Sequence, residues 1–567
     1  MDVVTSWVKP KPAPGGRDLL GTQTPCLNIY AQLLPGITNV TDRARYYTFY
    51  PWFIWAFHKK YPQKGLDHFT EFFRRGECLF TLIAEDHGHE SGKPNSTQHG
   101  VGLTGRNALT GQGDLGGALR DLRDGEKVHL SDYATQSSGG KRYFKTKLGG
   151  LGQYYAGVLG ALGLTGNSDQ SGSLYTSDLG SRAGEVMDKY VDTDGFFETL
   201  EQDLIGSEEL RNLVKFCPCH LPANTDEREF IIDVFIGDLS ADEEIQAWRR
   251  ETLGFLLELI DKLSGQNSPL DQDSFRGCAY SGHLPSGQAI DPSEAFVKIS
   301  GGWAVYQRND LFSVALQGLF AASLALIESN AELLKFFRNS TEFASWLRDS
   351  SDLRQALGPD RDRPFTDLVA DVRSNAPDVS DWLEEEHEVQ LARAVVGMFQ
   401  NIPNKDWQGG ERPNPAELIR KSINLLIILA GRGPDSSPYE PMHFPASYFD
   451  QLPANLAEFA RHRKLTWSKL SLSEVVSWIA VRWGIELHIK VALRRHISGN
   501  PNPFVIIHDD ARRALAVSSV PWPGFTNPRF RQAIQMLDDL GAFEEGEDGS
   551  FELTHIGQRM LERAREL

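Results

Sequence analysis

The sequence predicts a mainly α-helical, multidomain protein with an α+β winged-helix module at its C-terminus and a second such module over residues 141–190. Length is the first ground: 567 residues are too many for one core, so three or four domains follow. Composition is the second. With 40% hydrophobic and 24% charged residues the chain can bury sizeable cores and is too apolar for disorder. The third is an order of elements that occurs twice. Residues 152–190 run through a helix, a Leu162-Gly163-Leu164 break, a polar tip, a short strand and a helix opening at Leu179-Gly180. Residues 529–566 repeat this with Leu540-Gly541-Ala542 and Ile556-Gly557. A helix, a polar two-stranded wing and a returning helix is the winged-helix layout; the plainer reading is a generic helix–hairpin–helix unit.

In chain order, Thr41 or Asp42 caps a helix over Arg43 to Lys60 that Pro51 should kink or split. A second helix is expected over Gly65 to Ile83, then a long irregular Gly-, Ser- and His-rich loop over Glu85 to Gly117. Helical periodicity marks 195–216, 241–263, 302–327, 381–399, 415–430 and 472–496. Breaks rich in Pro, Gly and Ser at 264–292, 403–415 and 431–445 suggest boundaries. The expected division is 1–140, 141–190, 191–265, 266–432, 433–499 and 500–567.

The apolar stretches Phe312–Ile327 and Leu472–Val491 carry Gln317 and Arg482, Glu486 and His488 respectively, so they read as buried helices and no membrane partner is expected. Residues 1–16 lack the apolar run of a signal peptide. Five cysteines, an odd number, argue for a reducing compartment, and the expected location is cytoplasmic. The net charge of −18 is uneven, because residues 1–75 carry ten Lys/Arg against five Asp/Glu. An acidic chain needs a local basic face to hold nucleic acid. The internal unit offers one: residues 141–190 hold six basic and four acidic residues, with Lys145, Lys147 and Arg182 as candidate duplex-DNA contacts. The C-terminal unit offers Arg529, Arg531, Arg559, Arg563 and Arg565, but residues 500–567 hold seven arginines against eleven acidic residues, and Glu544, Glu545, Glu547 and Asp548 at the tip repel phosphate.

Candidate chemistry is sparse. Cys217, Cys219 and His220 pack soft ligands into four residues, and Cys278 with His283 could complete a structural zinc site; incidental buried cysteines are the plainer reading, and no cofactor is expected otherwise. His87, His89 and His99, with Glu85, Asp86 and Glu90, form a second group of metal-ligand types whose plainer reading is a solvated loop. Gly111, Gly113 and Gly116 match a dinucleotide fingerprint as a string, without the apolar strand that should precede it. Arg482 and His488 stand in the Arg-x5-His form of a class of helical ribonucleases and are the candidate catalytic pair; exposed helix charge is the plainer reading. Gly92-Lys93 and Gly140-Lys141 are followed by Pro and Arg, so the phosphate-binding loop of an NTPase is not formed. No Glu-x-Lys and no Gly-x-Ser-x-Gly occurs, which points away from an enzyme. The helix from Arg43 to Lys60 could stack bases while Arg43, Arg45, Lys59 and Lys60 hold phosphates, but its aromatic residues recur at core spacing.

Four phrases, LLPGITNVTDRARYYTFYPWFIWAF (33–57), FRRGECLF (73–80), WAVYQRNDLFSVALQGLF (303–320) and NPRFRQAIQMLDDLGAF…ELTHIGQRML (527–561), together resemble a family of large uncharacterised bacterial proteins associated with restriction and phage-defence islands. The resemblance implies a context and no catalytic residues. The expected role is a non-catalytic subunit of a bacterial DNA-associated or defence complex that binds DNA, another subunit or a second copy through its winged-helix modules. The alternatives are a nuclease, metal-dependent or of the ribonuclease type, and a scaffold without nucleic-acid contact.

Overall fold

A computed structural model describes residues 18–90, 115–137, 141–144, 146–167, 174–239, 242–266, 268–399, 413–432, 444–500, 503–546 and 550–567. Among the described residues 65% are helix and 5% strand, so helix-on-helix packing carries the fold. Lys145, His99, Gly111 and Gly113 lie outside the described residues, as do most of the breaks at 403–415 and 431–445.

The N-terminal part is built on α1 (Thr24–Leu33), α2 (Tyr46–Lys60) and α3 (Leu66–Glu90). Helix α2 runs through Pro51 without a break, because residues from Tyr46 to Phe57 are buried around nearly the whole helix and packing outweighs the ~3 kcal/mol cost of an interior proline. Its aromatic residues pack edge-on with Phe73, Phe80, Tyr155 and Phe196, and Trp52 packs tilted against Phe216. Arg43 and Arg45, weighed above as phosphate contacts, are buried. Helix α3 continues past the expected end at Ile83 and takes Glu85 to Glu90 out of the loop assigned there. A two-residue strand β1 (Val128–His129) pairs with a later one at Leu204–Ile205.

The internal unit follows: α4 (Ala156–Ala161), the antiparallel pair β2 (Thr165–Asn167) and β3 (Leu174–Thr176), and α5 (Asp178–Asp188). The helix expected over 195–216 is instead broken in two at Leu204–Ile205, numbered β4, where the chain leaves helix to pair with β1. Then come α6 (Thr225–Phe235), α7 (Glu243–Ser264) and α8 (Gln272–Ser281). The central element is α9 (Val297–Glu332), longer than expected and buried on every face from Ile299 to Ile327. It is apolar and long enough to cross a membrane by composition, and 94% of its apolar window is buried inside the protein. Around it pack α1, α8, α10 (Glu388–Gly397) and α11 (Pro415–Arg432). The long pattern over 472–496 is one helical run interrupted by a π-helical turn, Ala480–Ile485, before α12 (Glu486–Ile497).

The C-terminus holds a hairpin of β5 (Ile506–Asp509) and β6 (Ala514–Val517), then α13 (Phe530–Asp539), the pair β7 (Phe543–Glu545) and β8 (Phe551–Leu553), and α14 (His555–Glu566). Both repeated units are therefore helix–hairpin–helix, and their junctions match bond for bond. Gly163 and Gly541 both turn at positive φ, +71° and +72°. Ser177 and Thr554 cap the following helices and donate their hydroxyls back to the carbonyls of Gly163 and Gly541. Gly180 and Gly557 sit where a Cβ would lie 1.8 and 1.9 Å from the carbonyl oxygens of Leu164 and Ala542. Among the described residues between α12 and α13 there is no helix; β5–β6 and an extended strap stand there. One hydrophobic cluster runs from Leu20 to Ala564. Its continuity is reinforced by polar links such as Thr22 Oγ1 to Ser313 Oγ at 2.8 Å.

Candidate metal centre and the basic residues

The turn bearing Cys217, Cys219 and His220 is held from below by a buried ion pair. Arg45 of the lead-in to α2 meets Glu227 of α6 through Nε and Nη2 at 3.2 and 2.9 Å, and both side chains are fully buried. The remaining guanidinium nitrogen, Nη1, donates to the carbonyls of Lys215 and Cys217. Thr48 and Asn224 donate to the same carboxylate at 2.6 and 2.8 Å. The short 310 helix Pro218–Ala223 is thereby fixed against α2 and α6.

Its outer side meets the end of α3. His87 Nδ1 lies 3.4 Å from Cys219 Sγ, and ligand atoms of His87, Cys219 and His220 all lie within 4.8 Å of one another. The His220 Nδ1 is 3.1 Å from the Tyr190 hydroxyl. Behind Cys219, Cys217 Sγ is 3.4 Å away and fully buried. Burial pushes the Cys217 thiol well up, so it keeps its proton; that thiol and then the His87 ring bring Cys219 down to about 6 against the opposing pull of burial. The structure thus joins two members of the first metal-ligand group read from the sequence, Cys219 and His220, to one member of the second, His87. The second pair assigned to that site is not part of the trio. Cys278 is buried in α8, which packs on α9, and burial raises its thiol to about 12. His283 hydrogen-bonds the Ser281 carbonyl at 2.8 Å.

The arginines proposed to meet DNA are mostly engaged within the protein. Arg529 donates to the Leu34 carbonyl at 2.8 Å and lies over the Tyr30 ring; burial lowers its pKa. Arg559 pairs with Glu229 and Arg563 with Asp233, both on α6, while Arg565 meets Glu258 of α7 at 3.0 Å. Arg531 is exposed. In the internal unit Lys147 is exposed and lies 3.7 Å from Asp67, and Arg182 is exposed beside the Phe230 ring. Arg43 is buried against Asp539, its Nη2 2.8 Å from Oδ1. The lead-in to α2 is therefore tied to α13.

Arg482 and His488 do not converge. Arg482 is exposed and pairs with Glu486 at 2.8 Å. His488 is fully buried, with Nδ1 3.1 Å from the Leu19 carbonyl and Nε2 accepting from the Val505 amide at 3.1 Å. Both ring nitrogens are thus occupied by backbone, which is the work of a core histidine.

Two titratable clusters escaped sequence reasoning because their members are far apart in the chain. Glu77 is buried and accepts from the hydroxyls of Tyr50 and Tyr143 and from the amides of Gly150 and Leu151. Glu388 is buried, accepts from the Tyr280 hydroxyl at 2.6 Å and is ion-paired with Arg432, with His387 Nε2 at 3.4 Å. Arg432 also lines a surface cavity of about 500 Å³ with Val372, Ala376, Pro377, Asp378 and Gly431. Comparison with family models, curated proteins and solved structures finds no match to this chain.

Proposed function

We propose that the chain is a non-catalytic subunit of a bacterial defence-linked complex that binds a partner protein rather than duplex DNA. The defence context rests on the resemblance of the four phrases quoted above. The choice of protein over DNA is carried by one observation: Arg529, Arg559, Arg563 and Arg565 spend their charge on carbonyls and carboxylates of the same chain. A phosphate backbone is held by cations left available to it. The reading of the repeated units as winged helices rests on element order alone, the hairpin standing where a wing stands. In this role each unit is an assembly part: helices α13 and α14 face the body of the protein.

A partner surface of fitting chemistry lies on α12. Ile489, Leu493 and Ile497 are 40%, 50% and 78% exposed at successive i, i+4 positions, flanked by exposed Lys490 and Arg494. An acidic amphipathic helix matches such a stripe. The test has two arms. Anisotropy with a duplex of about 30 base pairs at low and moderate salt should show no salt-sensitive binding. A subunit encoded beside this chain should co-purify at fixed ratio and be lost with Leu493→Asp. Affinity that falls steeply with salt and falls again in Arg182→Glu or Arg531→Glu overturns the protein reading in favour of DNA.

A further inference from the structure

We infer that His87, Cys219 and His220 form a binding site for a zinc-class divalent transition metal that ties the end of α3 to the turn before α6. The donors are one thiol and two imidazoles, the set that zinc, cobalt and nickel favour over the oxygen-seeking calcium and magnesium. For tetrahedral zinc, bond lengths of about 2.3 Å to sulfur and 2.0–2.1 Å to nitrogen place neighbouring S and N donors roughly 3.6 Å apart. The Cys219 Sγ to His87 Nδ1 separation of 3.4 Å already has that length. The third donor stands within 4.8 Å of both, so the three ligand atoms already share one locus. The trio is half-buried, so an ion can reach it from solvent.

The surroundings are built as a metal site requires. Metal-bound histidines are oriented by a partner on the other ring nitrogen. His220 has one in the Tyr190 hydroxyl at 3.1 Å on Nδ1, which directs Nε2 to the ion. The main chain of the turn is fixed by Arg45 and Asn224, the latter also donating to the Val186 carbonyl of α5. Cys217, deeper than Cys219, stands behind the ligand sulfur. Because α3, the turn and α5 meet here, the bound metal stabilises the folded state.

The full-length protein, purified without a polyhistidine tag, carries stoichiometric zinc by elemental analysis. After chelation and reloading with cobalt it shows a thiolate-to-cobalt charge-transfer band in the near ultraviolet. Cys219→Ser and His87→Ala abolish both, whereas Cys278→Ser retains both. Tyr190→Phe keeps the cobalt spectrum but weakens zinc binding roughly tenfold or more, as loss of an orienting partner does. Far-ultraviolet circular dichroism confirms that each variant is folded. Should Cys219→Ser fail to fold, Tyr190→Phe and the fall in the wild-type melting midpoint on chelation decide the matter. Failure of zinc to bind at saturating supply, or zinc held equally by Cys219→Ser, overturns the proposal, whatever the outcome of the DNA and partner measurements.

Discussion

Buried Glu77 is the residue whose ionisation the fold most directly controls. Removal from water raises its carboxyl to about 7 from an ordinary 4.5, although Tyr143, Tyr50 and the amides of Leu151 and Gly150 favour the ionised form. The folded state therefore holds a proton that the unfolded chain releases between those values. Stability from this group is fully present below about pH 4.5 and declines as pH rises to about 7, by on the order of 3 kcal/mol. Urea unfolding of wild type and Glu77→Gln across pH 4.5 to 7.5 checks this: the variant should lack that decline. Equal slopes would show that Glu77 does not titrate in this window. Nothing local announces such a residue, because its partners lie 27, 66 and 73 positions away. The same distance blindness hid His87 from Cys219, 132 residues apart, and Arg45 from Glu227, 182 apart. Residue types with a chemical appetite were legible in the sequence; their pairing was not.

At the scale of elements, the recurring unit was legible because its signals are local: a Leu-Gly break, a polar tip and a glycine 17 or 16 residues after the break. The structure supplies the reason for that glycine. A Cβ at Gly180 or Gly557 would lie 1.8 or 1.9 Å from a backbone oxygen, which no side-chain rotation relieves. Gly180→Ala and Gly557→Ala should each cost at least about 1–3 kcal/mol, the usual range for overpacking. Gly157→Ala, in α4 with open space at its Cβ, should be neutral or slightly stabilising through helix propensity. Thermal melts of the three variants test the contrast, and a Gly157-like result at Gly180 would mean that the helix can back away from the hairpin. Helix ends were read less well. The expected helix over 195–216 breaks at Leu204 because a distant strand pairs there, a preference no window of sequence contains.

At the scale of the whole molecule, the sequence suggests a C-terminal module that could stand alone, and the packing argues for one inseparable from the rest. Asp539 of α13 neutralises buried Arg43 and accepts from the Ala44 amide at 2.8 Å. Helix α14 lays Ala564 against the backbone of α7 at Gly254 and sends Arg559, Arg563 and Arg565 to carboxylates of α6 and α7. Deleting 530–567 therefore removes the carboxylate that neutralises a buried guanidinium, a loss of up to about 3–5 kcal/mol, and uncovers an apolar helix face as well. Against a total stability of roughly 5–15 kcal/mol that is enough to abolish cooperative folding. The truncated chain should be insoluble, or digested at sites throughout its length by a protease that leaves the full chain intact. Asp539→Ala should reproduce part of the loss while keeping the unit in place, separating the charge from the buried surface. If instead residues 1–529 melt as sharply as the whole protein and 530–567 fold in isolation, the C-terminal unit is an appended module after all. Its arginines would then be available to an outside partner whenever it undocks, and their internal pairing would no longer weigh against DNA.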